Sequence, residues 1–472
     1  MRTQLFISGS WMDGESVAAV ADKFTGRVLG EVAQAGAAQV QQAVAALAAG
    51  QRRDVPPPYE RYEILTRAAR LVTERRAALA DTMVSESGFT LDDVAGEIDR
   101  TAQTLRLCGE EATRIAGEMV PLDGAPGVRD RLGFTIRRPV GVVCAITPFN
   151  SPLNTPAHKV GPAIAAGNAV VLKPATYTPL SAAALVEILL DAGLPPSLIA
   201  LLHGSGASVG APLLADPRVG FYTFTGSTEV GHRIRAGAGV RPTQLELGGL
   251  SSTIVCADAD PQAVVDRCMP AAFRKAGQVC TSVQRLYLHE DIRAEVTDRL
   301  VSAVERQRYG DPHQPGTLTG PLISGKDADR VMSWVDEALA AGASALAGGR
   351  RDGRVVAPTV LAGVSASSRV MCQEVFGPVV SLRSFTDLDR AVDEVNDTPY
   401  GLSAGIFTND LRAGIRAAER LRMGSVHINQ TSSSRVDLMP YGGVKESGFG
   451  REGPRYAIQE MTEERLVTVD YG

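Results

Sequence analysis

Apolar residues recur along the chain in a few distinct patterns. Over residues 58–86 (PYERYEILTRAARLVTERRAALADTMVSE), Ile64, Leu65, Ala68, Leu71, Val72 and Leu79 fall near the i, i+3, i+4, i+7 spacing of one helical face. Pro56, Pro57 and Pro58 stand where a helix can start but not continue. The same signals predict a second helix over about 90–115. Residues 118–140 differ. They are punctuated by Gly and Pro and carry short alternating runs such as RLGFTIRRP, which predict a hairpin. From Gly141 the pattern becomes strand, turn, helix, repeated. GVVCAIT, NAVVLK, LIALLH and VGFYTFT read as buried strands; PAHKVGPAIAAG, PLSAAALVEILLDAG, GASVGAPLLAD and STEVGHRIRAGAG read as helices; PTQLELGG closes the series. A second series starts after about Ser251 and reaches about Asn429.

Alternation at this spacing predicts parallel sheets with helices on both faces, hence two α/β domains in tandem. One large α/β domain is the alternative. The tail EMTEERLVTVDYG contains one more strand, RLVTVDY, outside both series. A lone strand must pair with something: the sheet of a second subunit, beside the 118–140 hairpin, or an edge of its own chain. No internal repeat or low-complexity segment is found.

The length of 472 residues suits two or three domains. With 44% hydrophobic and 21% charged residues, a disordered chain is excluded, and the 48 glycines show no collagen period. A net charge of −5 gives no bulk attraction for nucleic acid or an anionic membrane. No apolar run approaches the ~20 residues that span a bilayer, and the first residues lack a signal-peptide core. A soluble, cytoplasmic protein is expected. None of the six cysteines forms a CxxC pair, and no histidines stand in HExxH or HxxxH spacing. Free thiols and no metal site are therefore expected.

Cys280, in KAGQVCTSVQR, lies in a polar loop after Gly277, between a helix and a strand. It reads either as a nucleophile or as a buried structural thiol. Cys108, Cys144 and Cys256 lie in apolar surroundings, and Cys268 and Cys372 have no activating neighbours. His158 and His203 read as ordinary polar residues. Glu246, in QLELGG, ends a strand, where open α/β sheets place ligands. HGSGASVG carries Gly204, Gly206 and Gly210 between a strand and a helix. There backbone N–H groups can approach a phosphate, although the spacing is not GxGxxG. FTGST offers a second such turn with Thr225, Gly226 and Ser227. Lys173 ends the strand NAVVLK and reads either as a donor to ribose hydroxyls or as a solvated lysine at a sheet edge.

Together these segments resemble the aldehyde dehydrogenase superfamily over nearly the whole chain. The resemblance rests on TPFNSP (147–152), GNAVVLKPA (167–175), FTGSTEVG (224–231), LELGG (245–249), GQVC (277–280), EVFGP (374–378) and PYGGVKESGFGREG (440–453), in that order. Glu246 and Cys280 are 34 residues apart, the interval the family uses.

The resemblance implies NAD(P)-dependent oxidation of a small-molecule aldehyde to the acid, with no nucleic-acid or membrane partner. Cys280 would attack the aldehyde, Asn150 and the Cys280 N–H would form the oxyanion hole, and Glu246 would activate water. Lys173 counts with both the catalytic and the cofactor groups. Cofactor contacts would come from Thr147, Pro148, Phe149, Lys173, Thr176, Gly206, Gly210, Thr225, Gly226, Ser227, Val230, Glu246, Leu247, Gly248, Glu374 and Phe376. Thr176 replaces the Glu found in many NAD-preferring members, which leaves NAD and NADP both open. Arg435, in RVDxMPYGG, resembles the lactaldehyde and phosphonoacetaldehyde branch and could meet an anionic substrate; its alternative is pairing with Asp437 or a neighbouring subunit. Arg100 and Arg106 are further candidates. Retention of Glu246 argues against a CoA-acylating relative. Retention of Cys280, Glu246, Asn150 and Lys173 together argues against a non-catalytic one.

The implied architecture is two Rossmann-like α/β domains plus a small β oligomerisation element. Residues 1–120 and 140–248 would bind the cofactor, and 249–452 would form the catalytic domain. Residues 121–139 and 453–472 would build a homodimer or homotetramer.

Overall fold

A computed structural model describes residues 2–472. Two α/β layers carry most of the chain. The first sheet has eight strands, in the order Gly448–Phe449, Thr243–Glu246, Val219–Thr225, Val142–Ile146, Ala169–Lys173, Ile199–Leu201, Leu5–Ile7 and Ser10–Met12. The middle five are parallel and the outer strands antiparallel. Val142–Ile146 and Ala169–Lys173 are apolar along almost their whole length because helices cover both faces.

The chain fills one side of Val142–Ile146 first, then crosses to place Val219–Thr225 on the other. The order therefore reverses between these two strands. Such a switch point opens a crevice beyond their carboxyl ends. Residues 147–150 and 226–227 leave the sheet there.

The second sheet runs Ser344–Ala347, Thr359–Ala362, Val379–Phe385, Arg285–His289, Ser252–Val255, Ser403–Phe407 and Ser425–Ile428. All neighbours are parallel except the first pair. Its two faces have separate apolar cores. Cys280 lies just ahead of Arg285–His289, and Glu246 just ahead of Ser252–Val255.

Four local features depart from the sequence reading. The predicted helix over 58–86 is two helices, Pro58–Glu74 and Arg76–Ser87, broken at Arg75 within the polar run TERR, where no apolar side chain ties the turns to the core. The helix Ala37–Arg53 and the strands Leu5–Ile7 and Ser10–Met12 had not been predicted. Residues 453–472 are not one element. The helix Pro454–Glu460 buries Ala457 and Ile458 in the first core, and only Thr462–Asp470 joins a separate sheet. Residues 448–449, placed with the second domain from sequence, add an antiparallel strand to the first sheet.

Thr462–Asp470 pairs along nine residues with Arg131–Pro139 of its own chain, which pairs in turn with Met119–Val120. The hairpin and the tail strand thus form one three-stranded sheet. Leu132, Leu466 and Val469 remain exposed on it. All six cysteines are free. Among the described residues no helix is long and apolar enough to cross a membrane.

Candidate active site

A cavity of about 1110 Å³ opens at the switch point and runs to the second sheet. Five strand ends of the first sheet supply its walls. Thr147, Pro148, Phe149 and Asn150 follow the first strand; Lys173 and Thr176 come from the next; Gly206 and Gly210 follow the third. Thr225, Gly226, Ser227 and Val230 follow the fourth, and Glu246, Leu247 and Gly248 the fifth. Cys280, Glu374 and Phe376 close the cavity from the second layer. Arg435 is not among its lining residues.

The cofactor end is built from turns, a buried lysine and a half-buried glutamate. The Ser208 N–H donates to Ser205 Oγ (3.0 Å), capping the turn Gly206–Gly210. Ser227 caps the helix Thr228–Ala238, which leaves that helix start facing the cavity. Lys173 Nζ donates to the Pro174 carbonyl (3.2 Å), and burial pulls its ammonium down to about 8. Glu374 accepts the Gly249 N–H (3.0 Å), and burial pushes its carboxyl up to about 7. A Cβ on Gly248 would come within 2.7 Å of Glu374 Oε2, so glycine makes room for this carboxylate. Phe376 is held at a φ of +47° and meets Phe149 edge-on at 5.8 Å.

This donor set fits a dinucleotide. Backbone N–H groups at helix starts suit phosphates. Lys173 and Glu374 offer a donor and an acceptor for ribose hydroxyls, and the Phe149–Phe376 pair gives an aromatic wall for a flat ring.

The loop before Cys280 is tightly constrained. Lys275, Ala276 and Gly277 are left-handed, at φ of +53°, +54° and +67°. A Cβ on Gly277 would meet the Gly377 carbonyl at 2.1 Å, so only glycine fits. Lys275 Nζ pairs with Glu97 and donates to the Asn150 carbonyl (2.8 Å). Asn150 Nδ2 donates to the Gln278 carbonyl (2.9 Å). Strain in this loop is thus overcome by surrounding bonds, as expected where a reactive group must be held in place.

Cys280 is half-buried, with Sγ 3.0 Å from Tyr441 Oη. Burial pushes its thiol up to about 11, while Tyr441 and Arg435 pull the other way. Glu246 is buried, and neither carboxylate oxygen has a hydrogen-bond partner among the described residues. Burial first, then the Glu452 charge, raise its carboxyl well above the usual range; Lys159, Arg435 and Arg451 oppose this. Glu452 itself is held well below that range although burial opposes it. It accepts from Lys159 Nζ (2.9 Å) and Arg435 Nη2 (3.0 Å).

Three arginine readings change with this geometry. Arg435 pairs with Glu452, not Asp437, and its guanidinium lies 3.8 Å over the Tyr441 ring. Its charge is thus paired within the chain, with Glu452 in place of the Asp437 alternative. Asp437 instead accepts two bonds from Arg100 (3.1 and 2.7 Å) and lies 2.8 Å from His158 Nε2. Arg100 is thereby occupied too. Arg106 is exposed beside Glu110 (3.8 Å).

Sequence reading missed Arg274. It lies six residues before Cys280 and donates to Ser433 Oγ (2.8 Å), which lies 3.4 Å from Thr281 Oγ1. Burial lowers its pKa, the charge of Asp93 opposes this most, and Cys280 and Tyr441 oppose it less; no carboxylate is within ion-pair distance among the described residues. Tyr441, Glu452 and Lys159 were also missed. The first two lie inside PYGGVKESGFGREG, but only the folded loop brings them to Cys280 and Glu246.

Residues 11–467 match the aldehyde dehydrogenase family. The chain is 45% identical to a 3-sulfolactaldehyde dehydrogenase of Priestia aryabhattai, over 99% of this chain and 98% of that protein. It superimposes with a TM-score of 0.97 on aldehyde dehydrogenase 21 of Physcomitrella patens, solved in complex with the reaction product succinate (37% identity, 99% and 98% covered). The TM-score is also 0.97 with an NADP-dependent glyceraldehyde-3-phosphate dehydrogenase of Bacillus halodurans, complexed with NADP (33% identity, 100% and 99% covered).

Proposed function

The chain belongs to the aldehyde dehydrogenase family, and from that premise we propose that it oxidises a short aldehyde bearing an anionic group, with Cys280 as nucleophile. The reaction class is oxidation of an aldehyde to its acid with NAD or NADP. The observation that carries the assignment is the convergence of Cys280, Asn150 and Glu246 on one cavity.

In this reading Cys280 Sγ adds to the carbonyl carbon and the carbonyl electron pair moves to oxygen. Asn150 Nδ2 and the Cys280 N–H stabilise that oxyanion, which is worth ~3–4 kcal/mol for a fixed donor. A dinucleotide held there would supply the hydride acceptor. Lys173, Glu374 and the Gly206 and Ser227 turns would hold it, and the Phe149–Phe376 wall would orient it. As the oxyanion re-forms its carbonyl, the C–H bond breaks, its electron pair leaves with the hydrogen as hydride, and a thioester on Cys280 remains. Glu246, with both oxygens free, takes a proton from water, and the resulting hydroxide displaces the thiolate.

The anionic preference rests on Arg274, a guanidinium that interacts electrostatically with Cys280 and forms no ion pair within 4 Å among the described residues, Asp93 being the carboxylate that acts on it. Sulfonate, carboxylate and phosphate groups accompany the aldehydes or product named for the three similar proteins. Replacing Arg274 with leucine should lower kcat/KM for such aldehydes by about 10²–10³-fold, the scale of losing a buried charge partner. A neutral aldehyde of equal length has no charge for the guanidinium to meet and should lose less than about tenfold, the scale of one neutral hydrogen bond. Equal losses on both in steady-state assays would refute the preference.

Thr176 lines the cavity as a neutral hydroxyl, so nothing at that position repels a ribose 2′-phosphate. Thr176→Glu should raise KM for NADP at least ~10-fold through like-charge repulsion and leave KM for NAD nearly unchanged. Initial rates with each cofactor check this.

Residues 1–120 and 140–248 are assigned to cofactor binding and 249–452 to catalysis, with the 448–449 strand shared. The exposed apolar pair Leu132 and Val469, opposite each other on one face, and exposed Leu466 on the other support residues 121–139 and 462–470 as the contact of a homodimer or homotetramer. Free thiols throughout favour a reducing, cytoplasmic location.

A further inference from the structure

We propose that Tyr441 is a catalytic hydrogen-bond donor to the Cys280 thiolate, and that Arg435 is the positioning residue that holds and strengthens it. This rests on the assignment of Cys280 as nucleophile.

The groups facing Cys280 are few. Tyr441 and Arg435 favour the thiolate, and the carboxylates of Glu374 and Glu246 oppose it. Arg274, six residues before it, feels its charge. No histidine is hydrogen-bonded to Cys280 among the described residues, so the imidazole that activates many cysteine nucleophiles has no counterpart here. Among the described residues the phenol is the one hydrogen-bond partner of the sulfur, at 3.0 Å.

The contact is built into the fold. Tyr441 and Glu452 form a two-residue antiparallel bridge: the Tyr441 N–H donates to the Glu452 carbonyl (3.0 Å), and the Glu452 N–H donates back (2.6 Å). The Glu452 side chain then accepts from Arg435 Nη2 (3.0 Å), and Lys159 Nζ anchors it from the other side (2.9 Å). Arg435 is thereby fixed with its guanidinium 3.8 Å over the Tyr441 ring. A cation on the ring face draws electron density from the phenol and makes its O–H a better donor. Burial pushes both groups above their usual ranges, and a phenol is ordinarily a weaker acid than a thiol. When one proton is lost, it leaves sulfur for bulk water, Tyr441 keeps its own, and the thiolate accepts. As sulfur bonds to the aldehyde carbon, its charge passes to the carbonyl oxygen and the Tyr441 bond is released.

A donor that stabilises a thiolate has two opposed effects: it enlarges the thiolate fraction and lowers the reactivity of each thiolate. Alkylation of Cys280 by iodoacetamide, followed against pH in the intact enzyme without aldehyde, separates them. Tyr441→Phe keeps the ring and its stacking and removes only the hydroxyl. Its alkylation midpoint should rise by about one unit, a tenfold loss of thiolate near neutrality. Its limiting rate above the midpoint should rise about threefold, from the dependence of nucleophilicity on basicity. The variant and wild-type curves should therefore cross. Arg435→Lys keeps a charge for Glu452 but loses the planar stack, and its midpoint should move the same way by a smaller amount. A merely structural loss lowers the whole curve without moving the midpoint. An unmoved midpoint in Tyr441→Phe, or curves that do not cross, would overturn the proposal. Because alkylation reads the thiol and not turnover, this failure is distinct from failure of the Cys280 assignment, which retained turnover in Cys280→Ala would reveal.

Discussion

Cys280→Ala should lose aldehyde-dependent NADH or NADPH formation by on the order of 10⁴-fold or more, the scale seen when a nucleophile is removed outright. The loss should fall on chemistry alone. The loop that carries Cys280 is fixed by Lys275 and Gln278, whose bonds do not involve the thiol. The cofactor end is built from Lys173, Glu374 and the two helix starts. Melting temperature and binding of NAD or NADP by calorimetry should therefore stay close to wild type. Absorbance of the reduced cofactor over a panel of anionic and neutral aldehydes is the measurement. Turnover above a few per cent of wild type would remove Cys280 from the mechanism. Loss of cofactor binding along with turnover would mean instead that the loop had collapsed.

The parts of this site that were legible in the sequence share one property: their role follows from position relative to a strand end. Glu246 closes a strand, Lys173 closes another, and Gly206 and Ser227 sit at strand-to-helix turns. Ordered motifs then tied these to Cys280. Arg274 and Tyr441 were not legible, because their meaning depends on contacts across the fold. Tyr441 reaches Cys280 from 161 positions away, through a bridge to Glu452 that no local pattern announces. Arg435 shows the converse. A conspicuous charge in a loop near the cavity invites a role with substrate, yet a buried carboxylate 17 positions on claims it. The fold behaved alike. Fully buried strands such as Ala169–Lys173 were evident as apolar runs. Leu5–Ile7 was not, because three residues become a strand only by pairing with Ile199–Leu201.

Glu246→Gln should separate the two halves of the reaction. Attack by Cys280 and formation of the thioester do not need this carboxylate; hydrolysis does. The variant should release about one equivalent of reduced cofactor per active site and then slow, with steady-state turnover lower by about 10²–10⁴-fold. Mass spectrometry of the stalled enzyme should find the acyl group on the Cys280 peptide. The pH dependence follows from the surroundings of the carboxyl. Burial and the charge of Glu452 favour its protonated form, so ionisation is delayed to higher pH than for an ordinary glutamate. A base acts only when ionised. Wild-type deacylation should therefore rise with pH through this raised range and level off above it, and the variant should lose that rise. Glutamine nearly matches the shape of the side chain it replaces, so packing against Gly442 should persist. Undiminished steady-state turnover would assign the water-activating role elsewhere. Disappearance of the initial burst would place Glu246 in the attack by Cys280 and not in hydrolysis.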